Sequence, residues 1–151
     1  MKTIKTISLT IAMLFFSLVS SAYDFYVDGI YYNILSETDK TVEVTSGDVK
    51  YTGDVTIPST VVYNSETYSV TSIYNQAFEY CYSLVSVTIP VGVTGIGSFA
   101  FRDCFSLTSI IIPDGVTYIG PSAFANCTSL TFVLFPDSVT DIGSSAFYSC
   151  I

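Results

Sequence analysis

Histidine and tryptophan are absent from this 151-residue chain, and positive charge is scarce, with five Lys and Arg against 13 Asp and Glu. Without histidine there is no imidazole general base, no Ser-His-Asp triad and no His-ligated metal site. A net charge of −8 and a pI near 4.1 leave little to grip a phosphate backbone, whose binding rests on Lys and Arg contacts and counterion release. DNA and RNA are therefore not expected partners. Charged residues make up only 12% of the chain and hydrophobic ones 50%, the reverse of a disordered composition. The length suits a single folded domain rather than a multidomain enzyme.

Residues 1–22 read as a secretory signal peptide. Lys2 and Lys5 form its basic start, Ile11-Ala12-Met13-Leu14-Phe15-Phe16 and Leu18-Val19 its apolar heart, and Ser20-Ser21-Ala22 a small-residue cleavage site. The uncharged stretch contains several Ser and Thr and is marginal for a membrane span of roughly 20 apolar residues, so cleavage after Ala22 is expected and no stable membrane insertion thereafter. Loss of the leader removes two lysines and no acid, leaving three cations against thirteen acids, a balance of −10. Such a surface repels phosphate and anionic lipid. The predicted location is outside the cytoplasm, secreted or at the cell surface.

What the chain does have is a repeat. Cys81, Cys104, Cys127 and Cys150 recur every 23 residues, as do Phe78, Phe101, Phe124 and Phe147, each preceded by alanine. Leu84, Leu107 and Leu130, then Pro90, Pro113 and Pro136, then Ile73, Ile96, Ile119 and Ile142 keep the same interval. A unit this short cannot bury its apolar face alone, whereas stacked copies form a continuous core. Ser86-Val87-Thr88-Ile89 before Pro90 reads as a short strand stopped by proline, and stacking predicts a parallel ribbon. The other half of each unit, such as Gly97 to Cys104, is predicted as a 3₁₀ or single α turn, being too short for a free helix.

The cysteines should form an inward-facing ladder at the inter-strand spacing of roughly 4.8 Å. Parallel side chains hold the Cβ atoms nearer 5 Å than the roughly 3.5–4.5 Å a disulfide needs, so buried free thiols are expected. A collinear row cannot wrap a tetrahedral zinc, and an apolar interior raises thiol pKa. Neither a metal nor a cofactor is expected. Phe78, Phe101, Phe124 and Phe147 are assigned to the core spine beside the cysteines.

With S-L-x-x-hydrophobic-x-hydrophobic-P-x-x-V-x-x-I-G-x-x-A-F-x-x-C as its unit, the chain closely resembles the BspA-like leucine-rich repeat family over residues 70–151, and more weakly over Val55-Thr56-Ile57-Pro58. The resemblance implies a repeat solenoid, a right-handed β/α(3₁₀) superhelix with a short parallel β ribbon. It also implies adhesion at bacterial cell surfaces. Two departures stand out: residues 59–69 are extra and look like a β-hairpin turning near Asn64-Ser65, and Tyr74 stands where later units have glycine. Residues 23–54 lie outside the repeat and read as an N-terminal β-hairpin cap, with Asp28-Gly29 as a hairpin turn, followed by strands at Thr41–Thr45 and Val49–Tyr51. Residues 55–151 are then the solenoid. Its last unit stops at Cys150-Ile151, before the next Ser-Leu, and reads as truncated.

Along the ribbon, the residues alternating with the core should face outward: Thr56, then Ser86 and Thr88, Ser109 and Ile111, Phe132 and Leu134. This face becomes more apolar toward the C-terminus, and Ile111, Phe132 and Leu134 are the strongest candidate contacts for a partner. The function expected is a non-enzymatic, exported module binding an extracellular protein or glycan. Two alternatives are an architectural spacer within a longer surface protein and, less favoured, a glycan-acting enzyme using a carboxylate pair, although no two acids are placed in one pocket by the sequence.

Overall fold

The structure, a computed structural model, describes residues 22–150. The predicted leader therefore lies, Ala22 apart, outside the described residues. At the N-terminus, β1 (Phe25–Val27), β2 (Ile30–Ser36) and β3 (Thr41–Thr45) form an antiparallel meander. Asp28 and Gly29 both have positive φ, 49° and 88°, the geometry of a two-residue turn whose twist matches its flanking strands. The strand predicted at Val49–Tyr51 does not form. That segment is tied down by a side chain instead: the Tyr51 hydroxyl accepts from the Tyr31 amide at 3.0 Å and donates to the Thr45 carbonyl at 2.7 Å.

The chain then enters β4 (Gly53–Thr56), followed by the antiparallel pair β5 (Thr60–Tyr63) and β6 (Glu66–Ile73), which turns through Asn64 and Ser65 at φ 50° and 65°. From here the path repeats. β7 (Leu84–Thr88), β9 (Ser109–Ile111) and β11 (Phe132–Leu134) join β4 in a four-stranded ribbon of order β11-β9-β7-β4, with every pair parallel. Between them run β8 (Gly95–Ile96), β10 (Tyr118–Ile119) and β12 (Asp141–Ile142), two residues each. These stack in parallel on β6, and β6 stacks on β3, so Val44, Ile73, Ile96, Ile119 and Ile142 form one column. The third strand of the N-terminal meander is thus a rung of this second ladder.

The remaining third of each coil departs from the sequence expectation. No 3₁₀ or α segment forms among the described residues; Gly97 to Cys104 and its equivalents are chains of turns. Alternate amides close turns within a coil, as from Ala100 to the Gly97 carbonyl and from Arg102 to Phe99. The amides between them cross to the next coil: Phe99 to the Pro121 carbonyl at 3.0 Å, Phe101 to Ala123 at 2.7 Å and Asp103 to Ala125 at 2.9 Å. A helix would spend every amide inside itself. Dividing them requires left-handed residues, and Phe99, Asp103, Ser122 and Asn126 all have φ between 53° and 62°. Backbone hydrogen bonds therefore join each coil to the next along three lines.

Inside these lines, side chains stack on their own copies. Phe78, Phe101, Phe124 and Phe147 stack with nearly parallel rings at 4.8–5.0 Å between centroids, and Tyr51 begins the column 4.5 Å from Phe78. Leu84, Leu107, Val93, Val116 and the alanines before each phenylalanine are buried. Complete burial of each Leu or Phe side chain is worth roughly 1.5–3 kcal/mol. The glycine after each isoleucine lies directly on the coil before it. A Cβ at Gly97 would meet the Asn75 amide at 2.6 Å, and one at Gly120 would meet that of Ser98 at 2.5 Å. Tyr74 escapes this constraint because the rung preceding β6 is β3, which ends at Thr45.

Candidate binding face

The ribbon's outward positions fall into two rows. Register aligns Asp54 with Ser86, Ser86 with Ser109 and Ser109 with Phe132; it aligns Thr56 with Thr88, and Ile111 with Leu134. The first coils are polar: the Ser86 hydroxyl donates to the Asp54 carboxylate at 2.6 Å, and Thr88 is exposed. The later coils are not. Ile111 is 59% exposed, Phe132 53% and Leu134 50%, and no hydrogen bond can satisfy those surfaces.

Two depressions follow the face. One, about 250 Å³, is lined by Ser86, Thr88, Ser109 and Ile111. A larger one of about 500 Å³ is walled by Val91, Ile111, Leu134 and Phe135, with Asp114 and Asp137 also lining it. Ser86, Thr88, Ser109 and Ile111 are thus brought together, Ile111 is shared with Leu134, and Phe132 lines neither hollow. Val91 and Phe135 were not singled out in the sequence. The 23-residue interval aligns Phe135 with the buried Ile89 and Ile112, so an aromatic at that position was the available signal. Phe135 is exposed and packs edge-on against Phe147 at 5.5 Å.

Charge near the face is almost wholly negative because the described cations are engaged elsewhere. Lys40 pairs with Glu37 and Glu66 at 3.7 and 3.8 Å, and Lys50 donates to the Glu79 carbonyl at 2.7 Å. Arg102 contacts the buried Glu79 carboxylate at 2.5 Å and Asp103 at 3.4 Å.

The thiol column lies in the interior. Cys81, Cys104 and Cys127 are buried, Cys150 is half-buried, and all four are free. Cys104, Cys127 and Cys150 each donate at 3.1 Å to the carbonyl of a phenylalanine one coil back, Phe78, Phe101 and Phe124 respectively. Burial pushes all four thiols up, Cys127 to about 12, so they remain neutral and unreactive at physiological pH. Phe147, like Cys150, is only half-buried at the last described coil. Among the described residues no group of three His, Cys, Asp or Glu side chains converges to hold a metal.

The repeat geometry is that of a known class, the leucine-rich repeat solenoid. The chain belongs to the BspA-type leucine-rich repeat family, whose model matches residues 54–151 in six copies. No curated protein matches the chain. Among solved structures, it is similar to a leucine-rich cell surface protein from Faecalibacterium prausnitzii, with 37% identity over 86% of this chain, 35% of that one and a TM-score of 0.71. It is also similar to a leucine-rich repeat protein from Bacteroides capillosus, with 29% identity over 83% of this chain, 94% of the other and a TM-score of 0.70. The T. pallidum leucine-rich repeat protein matches at 26% identity over 84% of this chain and 67% of its own, with a TM-score of 0.63. The chain spans about a third of the length of the F. prausnitzii protein.

Proposed function

We propose that the protein is an exported, non-catalytic binding module that adheres to an extracellular protein or glycan through the outward face of its parallel ribbon. The observation that carries this reading is the apolar surface of Ile111, Phe132 and Leu134, extended by Val91 and Phe135 and exposed on a backbone held rigid by hydrogen bonds to neighbouring coils. Exposed apolar area beside polar and acidic residues is the anatomy of a recognition patch: the apolar centre supplies affinity and the rim orients the partner. Asp114 and Asp137 favour a partner with basic residues flanking its apolar contact. Export is supported by the leader-like residues 1–22, and the description of the F. prausnitzii relative as a cell surface protein agrees with it.

The test is equilibrium binding of residues 23–151 to a panel of extracellular-matrix proteins and glycans, beside a Phe132→Ser/Leu134→Ser variant. Saturable binding to one ligand, lost in a variant that melts normally, supports the module. A folded protein that binds nothing on the panel would favour the spacer.

A further inference from the structure

Another cavity lies where the N-terminal meander meets the first coil, bordering the ribbon at Thr56. It measures about 380 Å³ and is lined by Val27, Ile30 and Tyr32 of the meander, with Pro58, Val61 and Val62 of the following segment. This is within the size range of small-molecule sites, about 300–1,000 Å³. The lining is aliphatic but for a few polar groups: Asp28, Thr56, Thr60 and the Tyr32 hydroxyl.

Two of these groups are unusual. Tyr32 is 1% exposed, and its ring is fixed by stacking on Phe25 at 5.2 Å. Its hydroxyl makes no hydrogen bond to any described residue, although the neighbouring Tyr31 and Tyr51 hydroxyls both do. The hydroxyl is not fully enclosed; it is open at the cavity wall, where an entering ligand can pair with it. Asp28 stands on the hairpin turn beside the cavity, exposed and in no ion pair with a described residue. The three described cations are held by Glu37, Glu66, Glu79 and Asp103. Burial, and then the negative charge of Asp28, push the Tyr32 hydroxyl up to about 12, so it stays a neutral donor and acceptor within the field of that carboxylate.

We propose that this cavity binds a small primary amine with a compact apolar body, the ammonium held between the Asp28 carboxylate and the Tyr32 hydroxyl and the body against Val27, Ile30, Pro58 and Val61. An ammonium donates three hydrogen bonds and accepts none, which matches a carboxylate and a lone hydroxyl oxygen. A carboxylate ligand would face Asp28 and a negatively charged protein. A neutral alcohol would satisfy Tyr32 but leave the charge of Asp28 uncompensated. The site meets the ribbon at Thr56 but shares no residue with the apolar patch of Ile111, Phe132 and Leu134, and it does not rest on that reading.

Calorimetric titration of the protein with three isosteres, 2-phenylethylamine, 2-phenylethanol and phenylacetate, tests this directly. The amine should bind saturably at one site, about tenfold more tightly than the alcohol, and phenylacetate should not bind. Asp28→Asn, which suits the left-handed turn position, should weaken the amine by about tenfold, and Tyr32→Phe by about threefold. Val62→Trp, at an exposed wall position, should block the cavity without depending on either polar group. Phe132→Ser/Leu134→Ser should leave amine binding unchanged. Equal binding of all three isosteres, no saturable binding of the amine, or full binding by the Val62→Trp protein would overturn the proposal. So would tighter binding of N-acetyl-lysine methylamide than of the arylamine, which would assign the cavity to a partner's side chain.

Discussion

The N-terminal meander and the coils that follow reach a closed core by opposite means. In the meander, each polar contact occurs once: Asp24 takes the Ile34 amide at 2.7 Å, Tyr23 donates to Asp48 at 2.9 Å and Tyr51 links Tyr31 to Thr45. In the coils, the same contact is copied, thiol to carbonyl, ring on ring, amide to the next carbonyl. A copied contact makes stability a sum of nearest-neighbour terms, whereas the unrepeated contacts of the meander must all be right together. The two regimes meet at Tyr51, whose ring starts the phenylalanine column while its hydroxyl belongs to the meander.

The sharpest way to break this contrast is in the middle of the column. Phe101→Ala removes a fully buried ring that two neighbours stack on, and should cost about 3–5 kcal/mol in denaturant unfolding. Hydrogen exchange should show the loss centred on the coils containing Phe78 and Phe124, with the amides of β1 and β2 less affected. Next in size is Gly120→Ala, which forces a Cβ onto the Ser98 backbone and should cost about 2–3 kcal/mol. Tyr74→Ala, at the matching position of the first coil, should stay within about 0.5 kcal/mol. Equal costs for the two would remove the explanation offered for the tyrosine. Tyr51→Phe keeps the ring but strands the Tyr31 amide and the Thr45 carbonyl, at about 1–2 kcal/mol; because the column is intact, its exchange defect should appear in the meander.

The smallest effect is electrostatic. Glu43, buried on β3, has its carboxyl raised above the ordinary 4.5 chiefly by burial, which outweighs the opposing hydrogen bonds from Asn33 and Ser72, while nearby Asp24 adds the smallest push upward. The folded state thus holds this proton more tightly than the unfolded one. Its contribution is greatest below pH 4.5 and is lost as pH rises from there through the raised folded value. Glu43→Gln should flatten that part of the stability curve relative to wild type, as measured by melting temperature across pH 4–7.

How far the sequence could be read differs between the same two regions. The 23-residue interval was enough to identify a stacked solenoid, because a column of identical residues has few alternatives to stacking. Ser86–Ile89 carried enough alternation to reveal the ribbon. The second ladder was illegible: Gly95–Ile96 and its copies are two residues long, too short for any periodicity, and their pairing exists only once coils are stacked. The 3₁₀ expectation failed for a related reason. The left-handed positions, among them Phe99, Asp103, Ser122 and Asn126, are not glycines, and hydrogen bonds from outside the local segment impose their conformation. On the candidate face, alternation placed Ile111, Phe132 and Leu134 outward, but Phe135 was hidden because its column is buried in earlier coils. The cavity beside Tyr32 arises from two segments that share no repeat, and nothing local announces it.

The amides that leave Phe99, Phe101 and Asp103 for the following coil have a mechanical meaning. The bonds between coils lie along the stacking direction, so a pull along that axis puts the same tension on every interface in series and the weakest yields first, alone. When one interface yields, the freed coil of 23 residues extends to roughly 75–80 Å from a stacked rise of roughly 5 Å. A chain held under tension at both ends would therefore lengthen in discrete steps, dissipating energy coil by coil while the coils still stacked keep their shape.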